Sequence, residues 1–220
     1  MKYLQLALYA EGATDEYFLS PLLQRMCEEL CAAHGTEPVE VSGVLGLRHA
    51  ESISTEPRHD RILACAREAE DAWNVLFVHS DGDGSPRTAR QQRVQPAINL
   101  VMQEYPARQA VAVVPLRETE AWGICDGDAL REVFGTTFSN QAMGVPDPPH
   151  NAETILDPKR ILEGAFTLTR PTAQRRRRGV SPLLGALGQQ VSLNTLRRVP
   201  AFRTFETELT DALRFQRFIA

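Results

Sequence analysis

Four short runs of β-forming apolar residues alternate with stretches of helical periodicity, and three of the four runs stop at acidic residues. Tyr3–Ala10 ends at Glu11-Gly12, and Thr14, Asp15 and Glu16 then open a helix whose Phe18, Leu22, Leu23, Met26 and Leu30 recur at helical spacing. Val39–Leu45 reads as a second strand and Arg61–Ala69 as a second helix. Asn74–His79 is a strand apolar enough to be buried on both faces. A helix over Arg90–Glu104 and a strand over Gln109–Leu116 complete the pattern. Such alternation predicts an α/β fold, a mainly parallel four-stranded sheet with helices on both faces. Parallel strands leave their C-termini along one edge, where ligands of such sheets bind.

That edge collects carboxylates. Glu11 follows strand one, Asp81 and Asp83 follow strand three, and Glu118 and Glu120 follow strand four. Carboxylates two residues apart beyond a strand end can aim the same way, as a hard, oxygen-seeking divalent cation requires. Crowded carboxylates repel one another, and a cation relieves that repulsion. Each motif also has a plainer reading. Asp-Gly-Asp-Gly is a common turn sequence, Glu11 and Asp15 suit a helix N-terminus, and Glu118-Thr119-Glu120 suits a helix cap. His79 reads as a satisfied group at the end of a buried strand; His34, His49, His59 and His150 lack ligand spacing and read as surface residues.

Other classes find no support. There is no P-loop, dinucleotide fingerprint or G-x-S-x-G elbow, and the four cysteines lack zinc-ligand spacing, which suits reduced, buried thiols. The apolar runs are strand-length, and the N-terminal one reads as a strand rather than a signal peptide, so a cytoplasmic protein without membrane contact is expected. Net charge is −4 but uneven: residues 1–150 carry −10 and residues 151–220 carry +6. The division expected is a metal-binding α/β core over 1–125 and a helical, basic C-terminal extension over 126–220, its last helix beginning near Phe202.

Glu11-Gly12-Ala13-Thr14-Asp15 resembles the E-G-x-T-E opening of Toprim domains in the overcoming-lysogenization-defect (OLD) nucleases, and Asp81-Gly82-Asp83 resembles their D-x-D. The whole chain looks closer still to the stand-alone Toprim-like proteins catalogued as domain of unknown function 4276. Their E-x-E-A-W motif is matched by Glu118-Thr119-Glu120-Ala121-Trp122 and their D-P-K segment by Asp157-Pro158-Lys159. The resemblance implies a Toprim/Rossmann-like sheet holding one or two Mg²⁺ or Mn²⁺ ions. Asp81 and Asp83 would be ligands, Glu11 a ligand or general acid/base, and Asp15, Glu118 and Glu120 candidates for a second ion. Asp15 is a shorter arm than the usual Glu. Lys159 is the only lysine besides Lys2, and so the candidate for the catalytic lysine of nuclease-type sites.

Arg175, Arg176, Arg177 and Arg178 form an uninterrupted basic run without interleaved aromatics. It reads equally as a phosphate-backbone clamp and as a solvated loop or protein contact. The functional expectation is a Mg²⁺-dependent nuclease acting on nucleic-acid phosphodiesters, in phage defence or DNA repair, with any ATPase supplied as a separate subunit. The alternative is a non-catalytic accessory module that binds nucleic acid or a partner and retains the metal edge.

Overall fold

The computed structural model describes residues 1–220. Its first half runs β1 (Lys2–Tyr9), α1 (Ala13–His34), β2 (Val39–Gly46), α2 (Arg58–Glu68), β3 (Val75–His79), α3 (Pro86–Ala89), α4 (Gln95–Glu104) and β4 (Gln109–Val113). The four strands pair in the order β2-β1-β3-β4, and every pairing is parallel. This is the α/β parallel sheet expected from the alternation, and it fits the Toprim/Rossmann-like fold that the resemblance implies. Side chains along each strand alternate between faces. Leu4, Leu6, Leu8, Val75 and Phe77 join one apolar cluster with α1, whereas Ala7, Tyr9, Leu76 and Val78 join another with residues of α2 and α4. All five residues of β3 are buried, as a strand covered on both faces demands.

The rest is helical: α5 (Glu120–Ile124), α6 (Gly127–Phe134), α7 (Asn140–Met143), α8 (Pro158–Leu168), α9 (Ala173–Arg178), α10 (Leu184–Gln190), α11 (Leu193–Leu196) and α12 (Pro200–Phe215). Residue 125 lies between α5 and α6, and a single apolar cluster of 41 residues, from Leu4 to Ile219, spans that point. Phe205 of α12 packs edge-on against Phe77 of β3 at 6.0 Å, and Phe202 against Trp122 at 5.2 Å. No helix is long and apolar enough to cross a membrane.

Three boundaries differ from the sequence expectation for identifiable reasons. β4 stops at Val113 rather than Leu116, because Pro115 has no N–H to offer a ladder and the Leu116 and Arg117 carbonyls bond the loop after β3 instead. Arg90–Glu104 is not one helix, since Arg90–Val94 forms a π turn in which the Gln95 amide reaches back five residues to Arg90. Pro96 follows at the start of α4, where its missing N–H is tolerated. Finally, α1 is capped by Gly12 rather than Thr14, with the Asp15 carboxylate accepting the Gly12 N–H at 3.0 Å.

Candidate metal centre

The loop after β3 explains why its sequence is Asp-Gly-Asp-Gly. Gly82 and Asp83 donate their amides to the Arg117 carbonyl at 2.8 and 3.3 Å, and Gly84 donates to Leu116 at 2.9 Å. A Cβ on Gly82 would lie 2.2 Å from the Pro115 carbonyl oxygen, so only glycine allows that approach. Asp83 and Gly84 both take positive φ, 49° and 78°. The glycines are therefore structural, and their effect is to fix Asp81 beside the segment that carries Glu118 and Glu120.

Asp15, His79 and Asp81 each present one ligand atom, all within 4.8 Å of one another. His79 is fully buried at the end of β3. Its Nδ1 faces the Glu11 amide at 3.3 Å, and an amide can only donate. In the neutral ring the proton is therefore on Nε2, which lies 3.0 Å from Thr119 Oγ1 and 3.4 Å from Asp81 Oδ1. With both nitrogens engaged, His79 orients the cluster and leaves the carboxylate oxygens for a cation. The Nε2 proton goes to Thr119 Oγ1, so Asp81 Oδ1 is left buried without a hydrogen-bond donor, and so is Glu118 Oε2. Buried acceptors without donors are costly, and a bound cation would satisfy them.

Three acids of the site are held above their ordinary pKa. Burial raises the pKa of Asp15, with the Asp81 charge adding to it. Asp15 and Glu120 share a crevice of about 10 Å³ walled by Phe18, Leu162, Leu184 and Leu187. Glu120 is pushed up to about 7, first by burial and then by Asp15, Glu118 and Asp81. Glu118 is raised by burial, Asp81 and Asp157, against the pull of Lys159. Asp15, Glu118 and Glu120, with Asp81 beside them, form an oxygen-rich set suited to a divalent ion.

Glu11 and Asp83 are engaged differently. Glu11 Oε2 accepts the Asp81 amide at 2.8 Å and the Ser80 hydroxyl at 3.1 Å, while Oε1 lies 3.5 Å from Arg93. Arg93, from the π turn, also bonds the Asp81 carbonyl at 2.5 Å and Asp83 Oδ2 at 2.8 Å. Asp83 is exposed and paired with this guanidinium rather than grouped with Asp15 and Asp81. Sequence reasoning missed His79, Thr119 and Arg93. The first was legible only as a core histidine, Thr119 meets the cluster from the turn before α5, and Arg93 reaches it from the π turn.

The Asp-Pro-Lys segment begins α8: Asp157 caps it by accepting the Arg160 amide at 2.8 Å, and Pro158 occupies the first turn. This brings the Lys159 backbone to Glu118 and its charge near enough to pull the Glu118 pKa down. Trp122 is fully buried and donates to Glu153 at 3.4 Å, fixing α5 so that Glu120 turns toward Asp15. Arg175–Arg178 lie on α9 rather than in a loop, capped by Thr172, with every arginine exposed. Arg175 stacks 5.9 Å from the ring of Phe166, which is seven residues, or about 10 Å of helix rise, from Lys159 along α8.

Residues 10–210 match the family described as a domain of unknown function, DUF4276. The chain belongs to the DUF4276 family. The match takes in all four motifs, from Glu11-Gly12 to Asp157-Pro158-Lys159, and so both the sheet edge and the helices that complete it. No curated protein and no solved structure matches the chain.

Proposed function

We propose that this DUF4276 protein is a Toprim-type, metal-dependent nuclease acting on nucleic-acid phosphodiesters, in phage defence or DNA repair beside a separate ATPase subunit. The observation that carries the reading is the pair of buried carboxylate oxygens without donors, Asp81 Oδ1 and Glu118 Oε2, at the C-terminal edge of a parallel sheet. Asp15, Asp81, Glu118 and Glu120 would hold one or two Mg²⁺ or Mn²⁺ ions, with Glu11 and Asp83 at the rim. When bound, such ions polarise a phosphodiester and lower the pKa of water. Glu11, held by Ser80 and the Asp81 amide, is oriented for proton transfer at its Oε1. Lys159, at the start of α8, offers a positive charge to a phosphate beside Glu118. Arg175–Arg178 would bind the strand farther along.

The test is incubation of purified protein with Mn²⁺ or Mg²⁺ and single- and double-stranded DNA and RNA. Cutting by the parent should drop at least 100-fold in Asp81→Asn; equal cutting by both would sink the assignment. Arg93 favours a second, non-catalytic reading as an accessory module, because its guanidinium already supplies a cation to Glu11 and Asp83. Salt-sensitive nucleic-acid binding with no product in any metal would select that reading.

A further inference from the structure

A second cavity, of about 320 Å³, opens on the other side of Glu11 and carries the opposite charge character. Its wall holds Arg48, Arg58 and Arg61 with Tyr9 and His49. The two carboxylates that share it, Glu11 and Glu16, pair instead with Arg93 and Arg48. Arg58 and Arg61 are therefore left with neutral partners. Arg58 donates to the His79 carbonyl at 2.6 Å and lies 5.3 Å from the centre of the Tyr9 ring; Arg61 faces His49 Nε2 at 3.1 Å. The Nε of each arginine is buried, whereas Arg58 Nη1 and Arg61 Nη2 make no hydrogen bond and remain accessible to a ligand. Burial lowers the pKa of Arg58, against the pull of Glu11.

The hydrogen-bond directions leave one more donor. A guanidinium has no acceptor, so His49 Nε2 must accept from Arg61 and the ring proton must lie on Nδ1. That proton points to Tyr9 Oη at 2.9 Å, so the hydroxyl accepts from His49 and keeps its own proton free. His49 is thus a half-buried residue bonded through both ring nitrogens rather than the free surface histidine its spacing suggested. Arg58 and Arg61 stand three residues apart on the first turn of α2, on one face, where the positive end of the helix dipole adds to their charge. A cavity with two guanidinium donors lacking acceptors and a free hydroxyl proton is built for an anion with several oxygen atoms.

We propose that this cavity is a phosphate subsite, with Arg58 and Arg61 gripping the oxygens of a phosphate group and the Tyr9 hydroxyl donating a further hydrogen bond. A phosphate there would sit across Glu11 from the carboxylate cluster. Anion binding stands without the nuclease reading; only the identification of the carrier as a nucleotide or nucleic-acid strand rests on it.

Calorimetry on the metal-free protein in chelator tests the subsite, with inorganic phosphate, thymidine 5′-monophosphate, thymidine and a short 5′-phosphorylated oligonucleotide as probes. The monophosphate should bind and thymidine should not. Affinity should fall at least tenfold in Arg61→Gln and severalfold in Tyr9→Phe, and should persist in Asp81→Asn. Tyr9→Phe removes only a hydroxyl, so it keeps the test decisive if Arg61→Gln unfolds. A free-anion site would bind inorganic phosphate as tightly as the oligonucleotide, whereas a strand site would favour the oligonucleotide. The proposal is overturned if both cavity variants bind like the parent, or if binding needs Mn²⁺ and disappears in Asp81→Asn. Absence of any cleavage by the parent protein, with its phosphate binding intact, would overturn the nuclease reading alone.

Discussion

Glu120 shows how a single residue can report on the centre. Its pKa rises from an ordinary 4.5 to about 7, mainly through burial. A carboxyl group with a raised folded-state pKa contributes stability that is fully present below about 4.5 and is lost as pH climbs through about 7. The raised pKa values of Asp15 and Glu118 act in the same direction. Metal-free protein should therefore lose on the order of 2–3 kcal/mol between about pH 5 and pH 8, read as a lower thermal midpoint. Glu120→Gln should flatten that profile, and Mn²⁺ at pH 8 should raise the parent's midpoint by several degrees. A flat profile in the parent would show that these carboxylates do not impede one another.

At the scale of elements, α9 presents four consecutive arginines to solvent, whereas the π turn places Arg93 at the carboxylate edge. The four arginines of α9 are exposed and consecutive, so they spread around a helix rather than lining one face. Replacing all four with glutamine should weaken nucleic-acid binding uniformly across sequences and reduce the salt-dependence slope by about 2–4, measured by fluorescence anisotropy over a salt series. An unchanged slope would assign α9 to a protein contact. The strands were legible because β1, β3 and β4 are apolar runs bounded by turn residues, and parallel strand ends share an edge, which is why Glu11, Asp81, Glu118 and Glu120 were read as one group; Asp15, inside α1, entered only through the family resemblance. The π turn was not legible: nothing in the Arg90–Val94 pattern separates it from an α-helix, and Arg93 reaches Glu11 and Asp83 from within it. Nor was His79, whose role depends on a threonine forty residues away.

On the scale of the whole molecule, α12 is the element that ties the C-terminal half to the sheet. Phe205 is almost fully buried between Phe77, Trp122 and Phe202. Phe205→Ala should cost about 3–5 kcal/mol, read as a shift of the urea midpoint, because the rings around it cannot all collapse into the space left. A loss under 1 kcal/mol would show that α12 contributes little to the core. The parallel order β2-β1-β3-β4 has a further consequence for folding. Asp15, Asp81, Glu120 and Lys159 come from segments far apart in the chain, and no two neighbouring elements contain the set. The electrostatic crowding at the edge is therefore met only once the crossovers are complete, late on the folding path, and its cost falls mainly on the native state rather than on the nucleus that precedes it.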